Sequence, residues 1–127
     1  MSLDSEVIQL YEVNYYVENG HSPVVEFLNK LNSKEQAKIL REIDLLQDFG
    51  LFLGPPHIKK LEGPYNRLWE LRIKQSTNNF RIFFFSFTQG RFILLHGIRK
   101  TTDDTPKNAL DISLKRLNYY LKGSEQQ

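Results

Sequence analysis

The sequence predicts an α+β domain: a small, mainly antiparallel sheet with an N-terminal helical hairpin on one face and a C-terminal helix. Three observations predict it. Three strand-like runs between about residues 67 and 99 are joined by turns short enough to force antiparallel neighbours. Apolar residues at helical spacing precede them, between Pro23 and Phe49. A leucine stripe at Leu110, Leu114, Leu117 and Leu121 follows them. Helices gathered on one face of such a sheet leave its other face free to work.

The elements follow in order. Val7 to Val17 is β-branched and aromatic with partial alternation, which predicts a first strand. Gly20 and His21 break it. Ser22-Pro23 is a helix N-cap followed by proline at the first helical position, and Val24, Phe27, Leu28 and Leu31 then recur at helical spacing. Ser33 and Gln36 stand at capping-box spacing and start a second helix, with Ile39, Ile43 and Leu46 as its buried stripe and Gly50 as its stop. Leu51 to Arg67 reads as loop, because Gly54, Pro55, Pro56, Gly63 and Pro64 are strong breakers. The strands then run at about 67–75, 79–88 and 91–99, with turns at Ser76 to Asn79 and Thr88 to Gly90. The second strand, FRIFFFSF, is nearly continuous apolar and is expected at the centre of the sheet. Asp103, Asp104 and Thr105 favour a helix start, with Pro106 first in the helix. From Gly123 the chain is polar and expected to fray.

A chain of 127 residues fits a single domain spanning 1–127. There is no cysteine, which excludes disulfides, thiolate metal sites and cysteine catalysis. That fits a reducing compartment, and a cytoplasmic location is expected. The first residues carry acids and no basic region, unlike a secretory signal, and the longest apolar runs are too short to span a bilayer. Charge is unevenly placed. Residues 1–56 hold four Lys/Arg and nine Asp/Glu, whereas residues 57–127 hold thirteen and six. A basic C-terminal half suits a polyanion such as RNA or DNA.

Each of the three strands carries a cation at or near one end: Arg72, then Arg81, then Arg99 and Lys100. By alternation Arg72 lies on the less apolar face of its strand, with Leu68 and Glu70. Arg99 shares parity with Gly97, Leu95 and Ile93, and Gly97 offers a place where a ligand can approach the backbone. Guanidinium groups are permanently charged and fork onto phosphate oxygens. Two or three aimed at one phosphate stabilise the charge of a pentavalent transition state. Lys59, Lys60 and Lys100 add charge or transfer protons, since neighbouring cations depress a lysine pKa. Arg67 and Lys74 complete the basic set. His96 is the lone histidine on a strand, with a structural and a catalytic role equally open. His21 and His57 fall in loops and receive no role. Three scattered histidines lack metal-ligand spacing, and no phosphate-binding glycine loop or serine elbow occurs. No metal and no cofactor are therefore expected. Trp69 and the phenylalanines read as core, while Tyr119 and Tyr120 either edge the site or pack. Cleavage of RNA by its own 2′-hydroxyl is a reaction these residues can support.

The strings LWELR, FRIFFF and ILLHGIRKTTDDTP resemble the phage-derived HigB-like branch of the RelE/ParE toxin superfamily. That branch carries a K-x-L-x-x-x-LWELR segment, an R-[IV]-[FY] strand and an LLHGF-x-KKT-x-x-TP segment, in this order. The resemblance covers nearly the whole chain. It implies a RelE-like fold and the toxin of a type II toxin-antitoxin system. The activity it implies is metal-independent mRNA cleavage, often on the ribosome, by 2′-hydroxyl attack that leaves a 5′-hydroxyl. The implied partners are mRNA and a helix-turn-helix, HigA-like antitoxin. Arg72 matches the arginine of ELR, Arg81 the arginine opening the next strand, His96 the HG histidine, Arg99 and Lys100 the basic pair, and Lys60 the lysine before the first basic strand. Here the usual lysine pair reads Arg99-Lys100, and Ile98 replaces a common phenylalanine. Arginine is a poor proton acceptor, so Lys100 or His96 must serve if a base is needed there. Alanine at Arg81 or Arg99 is expected to abolish growth arrest with the fold intact. Two other functions stay open: a non-enzymatic inhibitor of the gyrase-poisoning type, and an inactive module that binds only antitoxin or operator DNA.

Overall fold

The computed structural model describes residues 11–88 and 90–125. The order is β1 (Glu12–Tyr15), α1 (Pro23–Asn29), α2 (Ser33–Phe49), β2 (Ile58–Lys60), β3 (Trp69–Gln75), β4 (Asn78–Thr88), β5 (Arg91–Lys100) and α3 (Lys107–Glu125). The five strands form one sheet in the order β1-β5-β4-β3-β2. β1 runs parallel to β5 and the other neighbours are antiparallel, so the domain is α+β with a mixed, mostly antiparallel sheet. No helix among the described residues is long and apolar enough to cross a membrane.

β4 is central and buried on both faces, which explains its unbroken apolar run. Phe80, Ile82 and Phe84 face one way, with Leu71 and Ile73 of β3 and Phe92 and Leu94 of β5. Val24 and Leu28 of α1 and Ile39, Ile43 and Leu46 of α2 close this layer. Phe85 faces the other way, with Ile93, Leu95, Tyr16, Leu68 and Leu117 of α3. The helices are thus not gathered on one face. The α3 stripe must be buried too, and it takes part of the face expected to be free.

Local signals place most elements, with five differences. Ser22 caps α1 as expected, its side chain accepting from the Val25 amide at 3.3 Å. The box of α2 is shifted by one residue. Asn32 Oδ1 accepts from the Glu35 amide at 2.9 Å and Glu35 Oε1 from the Asn32 amide at 3.1 Å, in place of Ser33 and Gln36. Asparagine is as good a cap as serine, and Asn32 has a glutamate three residues on to complete the box. β2 lies inside the stretch expected to be loop, where three residues suffice to pair with β3. The β3–β4 turn is two residues, Ser76 and Thr77, with Ser76 at φ 58°. α3 continues through Glu125 beyond the expected fray at Gly123. Of the expected first strand, residues 7–10 lie outside the described residues, as do Gln89 and residues 126–127.

The fifth difference bears on the site. Phe83 pairs with His96 but Phe84 pairs with Leu94, so Leu95 is an extra residue in β5. Beyond this bulge the pleat changes parity. Gly97 and Arg99 therefore face α1 and α2, opposite to Ile93 and Leu95. The space over Gly97 is filled: an added Cβ would meet Phe27 Cδ2 at 2.6 Å. It is a helix contact and not a ligand approach.

Candidate functional site

Cross-strand partners share a face, so the register aligns three rows on the face opposite α1 and α2. The first is Glu70–Phe83–His96, the second Arg72–Arg81–Ile98, the third Lys74–Asn79–Lys100. Lys59 of β2 extends the first row by pairing with Glu70. The register thus brings together five of the cations singled out from the sequence, Arg72, Arg81, Lys74, Lys100 and Lys59, the last from a stretch expected to be loop.

Arg72 and Arg81 stand directly opposite each other, an arrangement that disfavours folding unless an anion is near. Glu70 supplies one. Its Oε2 lies 3.0 Å from Arg81 Nε, and both side chains are almost fully buried. Neither atom makes a well-directed hydrogen bond, so the contact is an ion pair held by charge. Arg81 Nη1 also donates to the Phe80 carbonyl at 2.9 Å. Burial lowers the Arg81 pKa; Glu70 opposes this and Arg72 adds to it. One carboxylate faces two guanidinium groups, which leaves Arg72, half-buried, with charge to offer an anion.

β2 begins only at Ile58, opposite Leu71, and leaves the outer edge of β3 unpaired from Arg72 onward, except that the Arg72 amide donates to the His57 carbonyl at 2.8 Å. A groove of about 410 Å³ follows this edge. Arg72, Lys74 and Arg81 line it together with Lys38 and Glu42 of α2 and His57 from the segment before β2. His57 Nδ1 lies 2.8 Å from Oε2 of Glu42, whose side chain is 6% exposed, and Lys38 Nζ lies 3.7 Å from the other carboxylate oxygen. A hollow of about 440 Å³ along α3 is lined by side chains of that helix alone, from Asp111 to Lys122, and gathers no such mixture of groups.

The remaining candidates sit elsewhere. Arg99 ties β5 to α2: its Nη2 is 3.3 Å from Oε2 of the buried Glu35, and its guanidinium lies 5.0 Å over the Phe80 ring. Lys60 pairs with Trp69 on the helix side of the sheet edge, and Arg67 is exposed in the turn before β3. His96 is on the arginine face, but its Nδ1 is 2.9 Å from Arg116 Nη1. Arginine only donates, so Nδ1 accepts and the proton sits on Nε2. Burial, then the Arg116 charge, push His96 down to about 4. Its ring is neutral at neutral pH and has no free lone pair.

Sequence reasoning missed Glu42, Glu70 and His57. Glu70 was visible as the neighbour of Arg72 on the polar face of β3. Glu42 and His57 gave no local signal, because one lies on α2 and the other in the segment before β2, and they meet only in three dimensions. Among the described residues, no three His, Asp or Glu side chains converge as a metal site requires. What the arrangement can do is bind an anion at Arg72 beside a carboxylate–imidazole pair.

Fold and site together define a small α+β domain with a cationic groove at the edge of its sheet. Residues 26–118 match the model of the phage-derived Gp49-like proteins (DUF891), and the chain belongs to that family. No curated protein matches the sequence.

Proposed function

We propose that this protein is the toxin of a type II toxin-antitoxin system, with a RelE-like fold, that cleaves mRNA without a metal by 2′-hydroxyl attack. The observation that carries this reading is the cross-strand Arg72–Arg81 pair with a single counter-charge at Glu70, lining a groove with Lys74. Such a set binds a phosphodiester and stabilises added charge on it. The LWELR, FRIFFF and ILLHGIRKTTDDTP strings support the same reading through their resemblance to HigB-like toxins. The partners are then mRNA, on the ribosome, and a helix-turn-helix antitoxin, and the site of action is the cytoplasm.

Arg72, Arg81, Lys74, Lys100 and Lys59 hold RNA in this reading. Arg99 and Lys60 act on the fold or at its rim. The test is inducible expression in bacteria with mapping of mRNA 5′ ends that carry a free hydroxyl. New cuts within translated codons, lost in Arg72→Ala, are expected. Growth arrest with uncut mRNA would overturn the nuclease reading.

A second reading is a protein-binding module without nuclease activity. It draws on an exposed apolar stretch at the end of α2 and just beyond it, where Phe49 is 51% and Phe52 89% exposed. Growth arrest insensitive to Arg72→Ala but lost in Phe52→Ser would favour it.

A further inference from the structure

We infer that His57, held by the buried Glu42 carboxylate, is the proton-accepting group of this groove, acting on the 2′-hydroxyl of an RNA whose phosphate rests on Arg72. This deepens the nuclease reading and rests on it. A carboxylate is acceptor-only, so Glu42 Oε2 at 2.8 Å takes the Nδ1–H of His57. That fixes the tautomer and leaves the Nε2 lone pair for a ligand, the arrangement in which a carboxylate orients a catalytic imidazole. Glu42 is in turn held in a defined place: its side chain is 6% exposed and Lys38 sits at its second oxygen. His57 itself is 37% exposed and lines the groove. The hydrogen bond from the Arg72 amide to the His57 carbonyl sets the two residues side by side. His96 has the opposite arrangement, its Nδ1 lone pair taken by Arg116 and its Nε2 protonated. Of the two histidines near the cations, only His57 can accept a proton.

The step balances without any co-reactant. His57 Nε2 takes the 2′-hydroxyl proton and the O2′–P bond forms. The P–O5′ bond breaks, O5′ leaves with a proton from solvent, and the imidazolium returns its proton to solvent. The products are a 2′,3′-cyclic phosphate and a 5′-hydroxyl. Arg72 and Arg81 carry the charge on phosphorus oxygens meanwhile. The charged groups around His57 are Lys38 and Glu42 on α2, Arg72 and Lys74 on β3, and Arg81 on β4.

The full-length protein is added to a translation extract programmed with a defined mRNA, and the rate at which 5′-hydroxyl ends appear is followed from acid to mildly alkaline pH. Wild type is expected to cut, with the acid-side fall in rate that a general base requires. His57→Gln is expected to cut roughly 100-fold slower or worse, the usual scale of a lost acid–base group. It should also lose the acid limb and keep its affinity for a labelled RNA. Glu42→Gln is expected to slow cutting and to move the acid limb. If His57→Gln melts early, His57→Ala with added imidazole decides: restored cutting supports the assignment, and none overturns it. Wild-type rate and pH profile in His57→Gln overturn the assignment and leave the nuclease reading standing, provided that Arg72→Ala is dead. No cutting by folded wild type overturns both.

Discussion

Arg72 and Arg81 look alike in the sequence, but removing each has a different consequence. Arg81 neutralises Glu70 in a nearly dry setting. Breaking a buried pair from one side leaves an uncompensated charge, at a cost of about 3–5 kcal/mol. Arg81→Ala should therefore lower the urea midpoint strongly, and its loss of activity would say little about chemistry. Arg99→Ala carries the same ambiguity through Glu35. The expectation that both variants keep the fold intact gives way to the pairing seen here. Arg72 is half-buried and faces like charge, so Arg72→Ala should change stability by no more than about 0.5 kcal/mol while removing anion binding. Urea titration beside an RNA-binding assay separates the two. His96 yields a pH prediction. Its folded pKa of about 4 lies below the ordinary 6.5, so the unfolded chain takes the proton first. The neutral ring contributes stability that is full above about 6.5 and is lost as pH falls toward 4. Denaturation midpoints at several pH values should show that loss, and His96→Gln should reduce it.

At the scale of elements, two local devices set the geometry. The Asn32–Glu35 box starts α2, and Glu35 also accepts from Asn78 at 3.2 Å and meets Arg99. One side chain thus couples a helix start to β4 and β5. Asn32→Ala should cost about 1 kcal/mol through the lost cap, read by thermal or chemical melting. Gly97 is the second device. Phe27 of α1 lies against its backbone, and α1 packs on β5 only because no Cβ intervenes. Gly97→Ala should cost about 1–3 kcal/mol by overpacking, with Phe27→Ala in the same chain recovering part of it. The bulge at Leu95 explains why counting alternate residues from Ile93 misplaces Arg99. A pleat count holds only while pairing is unbroken, and one inserted residue exchanges the faces of everything beyond it.

For the molecule as a whole, charge asymmetry acquires a location. The basic half supplies β2 to β5, and its cations on one face form rows beside the groove. Binding of single-stranded RNA should weaken with salt at a log–log slope of about −0.7 per phosphate neutralised. With Arg81 neutralised by Glu70, Arg72, Lys74, Lys100 and Lys59 together predict a slope of about −3, and alanine at any one of them should reduce it by about 0.7. Fluorescence anisotropy across a salt series measures both. A slope near zero would remove phosphate from the list of ligands for this face.

What was legible in the chain alone depends on neighbours along it. Helical spacing marked α1, α2 and α3, short turns marked three antiparallel strands, and continuous apolarity placed β4 at the centre. Arg72 was also legible as a cation on a polar strand face, because alternation in β3 is unbroken. Which cations meet was settled by packing in three dimensions. The bulge sent Arg99 to the helix side, α3 occupied part of the second face, and a three-residue strand hidden among prolines left the edge of β3 bare. Glu42 and His57 lie 15 residues apart on elements with no local reason to meet, and they touch because α2 and β2 both pack beside β3. Periodicity reports how each segment divides between inside and outside. It carries no information about which outside groups will face one another across elements, and a chemical site is made of those encounters.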